Sequence, residues 1–212
     1  MPSSTAELID LLADPARRNA ARDELVKLGA EATPSLLRAA ESPRDPDHYK
    51  TILRTLLHVQ DPKSQDLFRR ALTSDDEEVR AIGARGLHIL KAPDALRALK
   101  TTINDSPDSL HWEWTPAVQS LIESGRAALP ATFVLMESPN EKTRRRAQYV
   151  LASIALEDIT RRLEPGAQTN EALRQWQELE RENGSYHWSG SESARRSAIE
   201  LWKRWYEKPD LR

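Results

Sequence analysis

Apolar residues recur along this chain at i, i+4 and i+7, and each stripe is followed by a short break and a second stripe. Ala21, Leu25 and Leu28 begin the series. Ile52, Leu56 and Val59 follow, then Gly83, Leu87 and Leu90, then Ala117, Leu121 and Ser124. A small or apolar residue with larger ones one and two turns later marks the buried face of an α-helix. The breaks fall at Gly29, Gln60, Lys91 and Gly125. Beyond them a second helix carries Leu36, Leu37 and Ala40, repeated as Leu67, Phe68 and Ala71. The third copy reads as degenerate, with Leu96, Leu99 and Ile103 on its face, and the fourth has Phe133, Val134 and Met136. Asp14-Pro15, Asp45-Pro46 and Asp76-Glu77 precede the first three units. They read as N-caps, with proline pre-set for a first helical turn.

The units are copies of one another. Leu25 to Pro43 returns as Leu121 to Pro139, with Gly29 matching Gly125, Pro34 matching Pro130, and Ser42-Pro43 matching Ser138-Pro139. The offset is 96 residues, about three units of roughly 31 to 32 each. Such a period predicts a solenoid, in which each unit buries its apolar face against its neighbours. The fold expected is all-α: an α-solenoid, a right-handed superhelix of stacked antiparallel helix pairs of the HEAT/armadillo kind. One domain is expected, with a capping helix in 1–13, four repeats in 14–139 and a divergent helical cap in 140–212. The first helix reads as Thr5 to Ala13. In the cap, one helix runs from Asn140 to a stop at Pro165-Gly166, with Ala147, Val150, Leu151, Ile154 and Ile159 on its face. Asn170 to Glu182 is a second. A last helix starts at Glu192 or Ser193, after a Gly- and Ser-rich loop.

The pattern D-P-x-x-R-x-x-A-x-x-x-L-x-x-L-G-x-x-x-x-P-x-L-L stands here as Asp14, Pro15, Arg18, Ala21, Leu25, Leu28, Gly29, Pro34, Leu36 and Leu37. With its copies through residue 139 it resembles HEAT-like repeats, in particular the short bacterial kind found in phycobilisome-lyase-type proteins. The resemblance implies the fold and places the second helices on a concave surface. It also implies two other roles known for such scaffolds: a DNA-acting enzyme of the alkylpurine glycosylase type, and a chromophore-lyase-like or chaperone role.

Composition narrows the functions. Of 212 residues, 30% are charged and 39% hydrophobic, which suits a thin core under much solvated surface. The net charge of -2 leaves no chain-wide basic field, so nucleic acid is not the expected partner. No apolar run approaches the ~18 residues of a membrane helix, and the N-terminal stretch does not read as a signal peptide. The chain has no cysteine, which excludes thiol chemistry and favours a reducing, cytoplasmic setting. His48, His58, His88, His111 and His187 are scattered with no ligand spacing. No catalytic motif is present, so no enzymatic activity, metal or cofactor is expected.

What remains is surface. Arg38, Arg69 and Lys100 stand 31 residues apart at one position of three successive second helices. Ser35, Asp66 and Arg97 form the adjacent column, and Arg70 lies beside the first. By the resemblance, the first column lines the concave face. It suits an acidic peptide or a phosphate backbone. A competing account is that cations in the last turns of helices complement the macrodipole. Trp112 and Trp114, read as helical, point to opposite sides, so one is expected in solvent as a contact residue. With Glu113, and beside the Arg38 column, they form the sole candidate constellation for a DNA glycosylase. Ala198, Ile199, Trp202, Trp205 and Tyr206 read as a bulky end cap, and Arg144, Arg145 and Arg146 as a solvated, ion-paired fan. The expected function is a non-catalytic protein-binding scaffold, monomeric, with an acidic protein partner held on Arg38, Arg69, Arg70, Arg97, Lys100, Trp112 and Trp114.

Overall fold

The computed structural model describes residues 4–111, 113–163 and 169–208; Trp112 and the Pro165-Gly166 stop lie outside them. All regular structure among the described residues is helical, without a strand. The chain is an all-α solenoid of HEAT-like helix pairs. It divides into two compact units, Met1–Ser106 and Pro107–Arg212.

Unit 1 holds α1 (Thr5–Leu11), α2 (Arg18–Leu28), α3 (Thr33–Glu41), α4 (Pro46–Val59), α5 (Gln65–Ala71), α6 (Glu77–Ile89) and α7 (Ala95–Thr101). First helices α2, α4 and α6 pack on one another; α3 packs on α4, α5 on α6, and α7 on α6. The column Leu25, Leu56, Leu87 is fully buried, as are Leu36 and Phe68 on the second helices. Asp45 and Asp76 are N-caps: the Asp45 carboxylate accepts from the His48 amide (2.7 Å), and Asp76 from Glu78 and Val79. Asp14 differs from expectation. Its carboxylate accepts the Ala16 amide (2.9 Å) in a turn, and α2 starts later, at Arg18.

All four breaks seen in the sequence adopt positive φ: Gly29 (58°), Gln60 (57°), Lys91 (52°) and Gly125 (56°). The left-handed turn redirects the chain from first to second helix. Gln60, with ψ 31°, is ordinary left-handed helix that a side chain tolerates; Gly29, with ψ -133°, is in a region that essentially demands glycine. Two other glycines serve packing. A Cβ at Gly86 would lie 2.5 Å from the Phe68 ring, and one at Gly83 2.7 Å from the Phe68 carbonyl oxygen. Their absence of side chain lets α5 and α6 approach closely.

Several stripe positions are corrected. Leu28 is 38% exposed, and Val59, Leu90 and Ser124 are half-buried, so the third position of each first helix is an edge. It falls in the last turn, where the chain is about to leave the core. Ser124 suits such an edge, because its hydroxyl donates to the Ser120 carbonyl (2.8 Å). The third repeat is regular: Ala98, Leu99 and Thr102 take the places of Leu67, Phe68 and Ala71, and Leu96 is only half-buried. Likewise Thr132, Phe133 and Met136 are buried while Val134 is 57% exposed. Val134 is one residue, about 100°, beyond Phe133 on the helix. Thr132 is tolerated inside because its hydroxyl donates to the Ala128 carbonyl (3.0 Å).

Unit 2 holds α8 (Pro116–Glu123), α9 (Leu129–Met136), α10 (Glu141–Arg162), α11 (Thr169–Glu182) and α12 (Glu192–Glu207). Helix α10 was expected to be divergent tail, yet it is a fifth first helix. Ala147 and Leu151 are buried at the positions of Ala117 and Leu121, and Asn140 caps it by accepting from Thr143 (3.2 Å). Beyond it, α11 packs on α10 and α12 on α9. Trp202 and Trp205 are buried, and Trp176 stacks on Trp202 with ring centroids 5.8 Å apart, as a bulky end cap should. Arg126 lies over the Trp205 ring at 4.8 Å and binds Asp158 at 2.9 Å.

Candidate functional site

The exposed side of the second helices in unit 1 follows from their buried side. With Leu36 and Ala40 buried and Leu37 half-buried on α3, a 100° step per residue turns position 38 outward and leaves position 35 half-buried beside it. The repeat carries these to 66 and 69 on α5 and to 97 and 100 on α7. The corresponding pairs are therefore Ser35 and Arg38, Asp66 and Arg69, Arg97 and Lys100. Arg38 and Arg97 are exposed and Lys100 is half-buried. Among the described residues, neither Arg38 nor Lys100 has an ion-pair partner.

Arg69 is different. Its guanidinium donates from Nε and Nη2 to the two oxygens of Asp94 (3.0 and 3.1 Å), and from Nη1 to Asp66 (2.9 Å). This fork is a bidentate guanidinium–carboxylate pair, the most directional of ionic contacts. Hydrogen bonds from Arg69 hold the Asp94 carboxyl below its ordinary value, and Asp94 in turn raises Arg69. Asp94 also lies 3.9 Å from Arg97, a loose contact that leaves Arg97 mostly in solvent. Arg70 is one residue round α5 and so lies on the flank. There it acts on Tyr49, whose hydroxyl is raised by burial and partly lowered again by the Arg70 charge. The equally spaced cations thus have unequal surroundings: Arg38 is exposed, Lys100 is half-buried without an ion-pair partner among the described residues, and the central one is occupied.

Trp114 and Glu113 sit in a loop of unit 2, so the helical geometry assumed for the tryptophan pair does not apply. Helix α8 begins only at Pro116, capped by the Thr115 hydroxyl, which accepts from Val118 (3.1 Å). The loop is closed by Asp108. Its amide donates to the Trp114 carbonyl (2.8 Å), and its carboxylate accepts the amides of Leu110 (2.8 Å) and His111 (2.7 Å). Those amides hold the Asp108 carboxyl below its usual value. Leu110 is left 85% exposed and Trp114 38% exposed, its ring edge-on to Tyr149 at 5.7 Å. Glu113, the carboxylate a glycosylase-type site would need, is held by Arg145 at 2.7 Å. Arg145 also lies over the Trp188 ring (5.4 Å).

The three consecutive arginines of α10 are not a solvated fan. Arg144 and Arg146 are buried. Arg144 donates from Nη1 to the carbonyls of Ser138 (3.0 Å) and Pro139 (2.8 Å), and from Nε to Trp188 (2.8 Å). Arg80 does the same on α6. It donates from Nη1 to the carbonyls of Ser74 (2.8 Å) and Asp75 (3.0 Å), and forks onto Asp105 (2.8 and 3.0 Å). The sequence signal was present in the shared spacing of Asp76 to Arg80 and Asn140 to Arg144.

Paired antiparallel helices, with a buried leucine column and an arginine bracing the turn before its helix, define a helical repeat protein. A sequence model of HEAT repeats matches residues 33–113, so this stretch is built of HEAT-like repeats. The match does not distinguish the phycobilisome-lyase kind. The comparison with curated proteins gave no match. Among solved structures, an engineered protein from the Northeast Structural Genomics Consortium is similar over 95% of this chain and 97% of its own. Its identity is 18% and its TM-score 0.42, too loose a superposition to bear on function. No helix among the described residues is long and apolar enough to cross a membrane.

Proposed function

We propose that this chain is a non-catalytic adaptor that binds a protein partner along the second-helix face of its N-terminal repeats, in a cytoplasmic setting. Repeat scaffolds of this kind present extended surfaces for partners, and their specificity lies in exposed side chains. The observation that carries the reading is that Arg38 and Arg97 are exposed on that face, and that Arg38 and the half-buried Lys100 have no ion-pair partner among the described residues. Cations that only neutralised a local carboxylate would be paired as Arg69 is. Arg38, Arg97 and Lys100 are available for an acidic partner surface and steer its approach. The loop with Leu110 and Trp114 is a second exposed feature, and it supplies the control.

Affinity capture with crosslinking and mass spectrometry from the native cell tests the reading. The wild type should recover a protein partner that the Arg38→Glu/Arg97→Glu/Lys100→Glu variant loses, while Trp114→Ala retains it. Circular dichroism should be the same for all three. Equal recovery by the reversal variant, or loss with Trp114→Ala alone, would move binding off this face.

A further inference from the structure

Resting on that reading, the charge pattern of the face says what its partner looks like. Among the described residues the charges run, repeat by repeat, as one unpaired cation, an arginine held by two carboxylates, and two cations. Arg38 supplies the first. At the second, Arg69 is forked onto Asp94 and touched by Asp66, so its donors are already taken. At the third, Arg97 is largely solvated and Lys100 has no partner among the described residues. Arg70 does not fill the gap, because it lies about 100° off this line beside Tyr49. We infer that the partner is an extended acidic segment with two carboxylate clusters and a neutral stretch between them. One cluster seats on Arg38 and the other on Arg97 and Lys100. The neutral stretch crosses the Arg69–Asp94 pair.

The separation follows from helix packing. Neighbouring repeats step by about 10 Å, so two steps span about 20 Å. An extended chain covers ~3.3 Å per residue, which puts the clusters about six residues apart. A uniformly acidic chain gains nothing from its middle carboxylates, which would face Asp66 and Asp94. A nucleic-acid strand suffers the same penalty at its central phosphates, and this is why an acidic protein segment is favoured over a phosphate backbone.

The test uses the full chain and synthetic peptides with two triglutamate blocks joined by a short, a matched (about six residues) or a long Gly-Ser linker, titrated by fluorescence polarisation. The matched peptide should bind about tenfold tighter than the short one, because only it engages both ends. Arg38→Glu or Lys100→Glu should bring it down to the level of the short one. Freeing the centre with Asp66→Asn/Asp94→Asn should tighten all three peptides and weaken the preference for the matched linker. Asp94 makes no side-chain capping bond to α7, so its loss leaves the helix start intact. Equal affinities across linkers, or indifference to both reversals, would overturn the two-cluster inference. So would a polythymidine strand of equal charge binding as tightly in physiological salt. If no peptide binds yet the captured partner still depends on Arg38 and Lys100, the acidic segment falls and the adaptor stands. If neither depends on them, both fall.

Discussion

Arg80 in unit 1 and Arg144 in unit 2 brace the same turn through the same two carbonyls, yet they reach forward to different things. Arg80 finds Asp105, a carboxylate at the end of the next repeat. Arg144 finds only a backbone oxygen, that of Trp188, in the loop between α11 and α12. The difference teaches how this repeat protein propagates and how it stops. In unit 1, successive pairs are tied by charge: Lys50 to Asp76 and Glu78, Arg69 to Asp94, Arg80 to Asp105. In unit 2 ion pairs such as Arg126–Asp158 and Arg145–Glu113 are joined by aromatic and backbone ties. Tyr186 donates to the Met136 carbonyl (2.8 Å), its hydroxyl pushed up to about 12 by burial, and Trp202 packs between Trp176 and Trp205. Charged ties leave cations at the surface as well, and those are what unit 1 offers a partner.

The largest effects should come from the two kinds of core. Leu56→Ala or Leu87→Ala removes a fully buried side chain from the repeated column and should cost about 2–5 kcal/mol; Trp202→Ala should cost ~3–5 kcal/mol. Denaturant unfolding measures both, with hydrogen exchange reporting which unit loses protection. A loss under ~1 kcal/mol at both leucines would mean the column is not the core. Next comes overpacking. Gly86→Ala should destabilise by about 1–3 kcal/mol, because the new methyl meets the Phe68 ring and not a flexible chain end. Chemical denaturation of this variant beside Gly125→Ala, where a Cβ has open space but φ is positive, separates a packing cost from a backbone cost.

The braces sharpen the comparison further. Arg144→Met and Arg80→Met should each cost ~1–3 kcal/mol through carbonyls left without a donor. The unit 1 ties should respond to acid. Asp76 and Asp94 are held below their ordinary value of 3.8, by hydrogen bonds from Lys50 and Arg69 respectively. A lowered folded pKa means their stabilisation is complete above the unfolded value and is lost as pH falls through the folded one. Amide protection in unit 1 should therefore decline below about pH 4, and Asp94→Asn should flatten that decline. A protection profile that falls first on warming the pH upward would have the wrong sign.

Much of the fold was legible because it is written several times. The leucine column, the left-handed breaks and the Asp45 and Asp76 caps each recur at a fixed period, so one copy vouched for another. Leu28 and Val134 were misread because hydrophobicity alone does not say where a helix turns from its core. Helix α10 was missed because its apolar face looked generic, although Asn140 and Arg144 repeat the spacing of Asp76 and Arg80. The candidate surface was half legible. The equal spacing of Arg38, Arg69 and Lys100 was visible, but the occupation of Arg69 was not. Its partner Asp94 belongs to the next repeat, at a separation of 25 residues that no helical period suggests. The same separation joins Arg80 to Asp105, so that signal exists but only a structure makes it readable.

Smallest in stability and largest in meaning is the effect of reversing the cations of the second-helix face. Arg38→Glu and Lys100→Glu should each change unfolding free energy by no more than about 0.5 kcal/mol, as surface substitutions do. The most direct measurement of the central claim is the affinity of the captured partner for wild type and for the Arg38→Glu/Arg97→Glu/Lys100→Glu variant across a salt titration. The account predicts that the variant binds at least ~tenfold more weakly at low salt and has lost most of the salt dependence. Equal affinity with an unchanged salt slope would contradict it, and would leave these cations as complements to their helix ends.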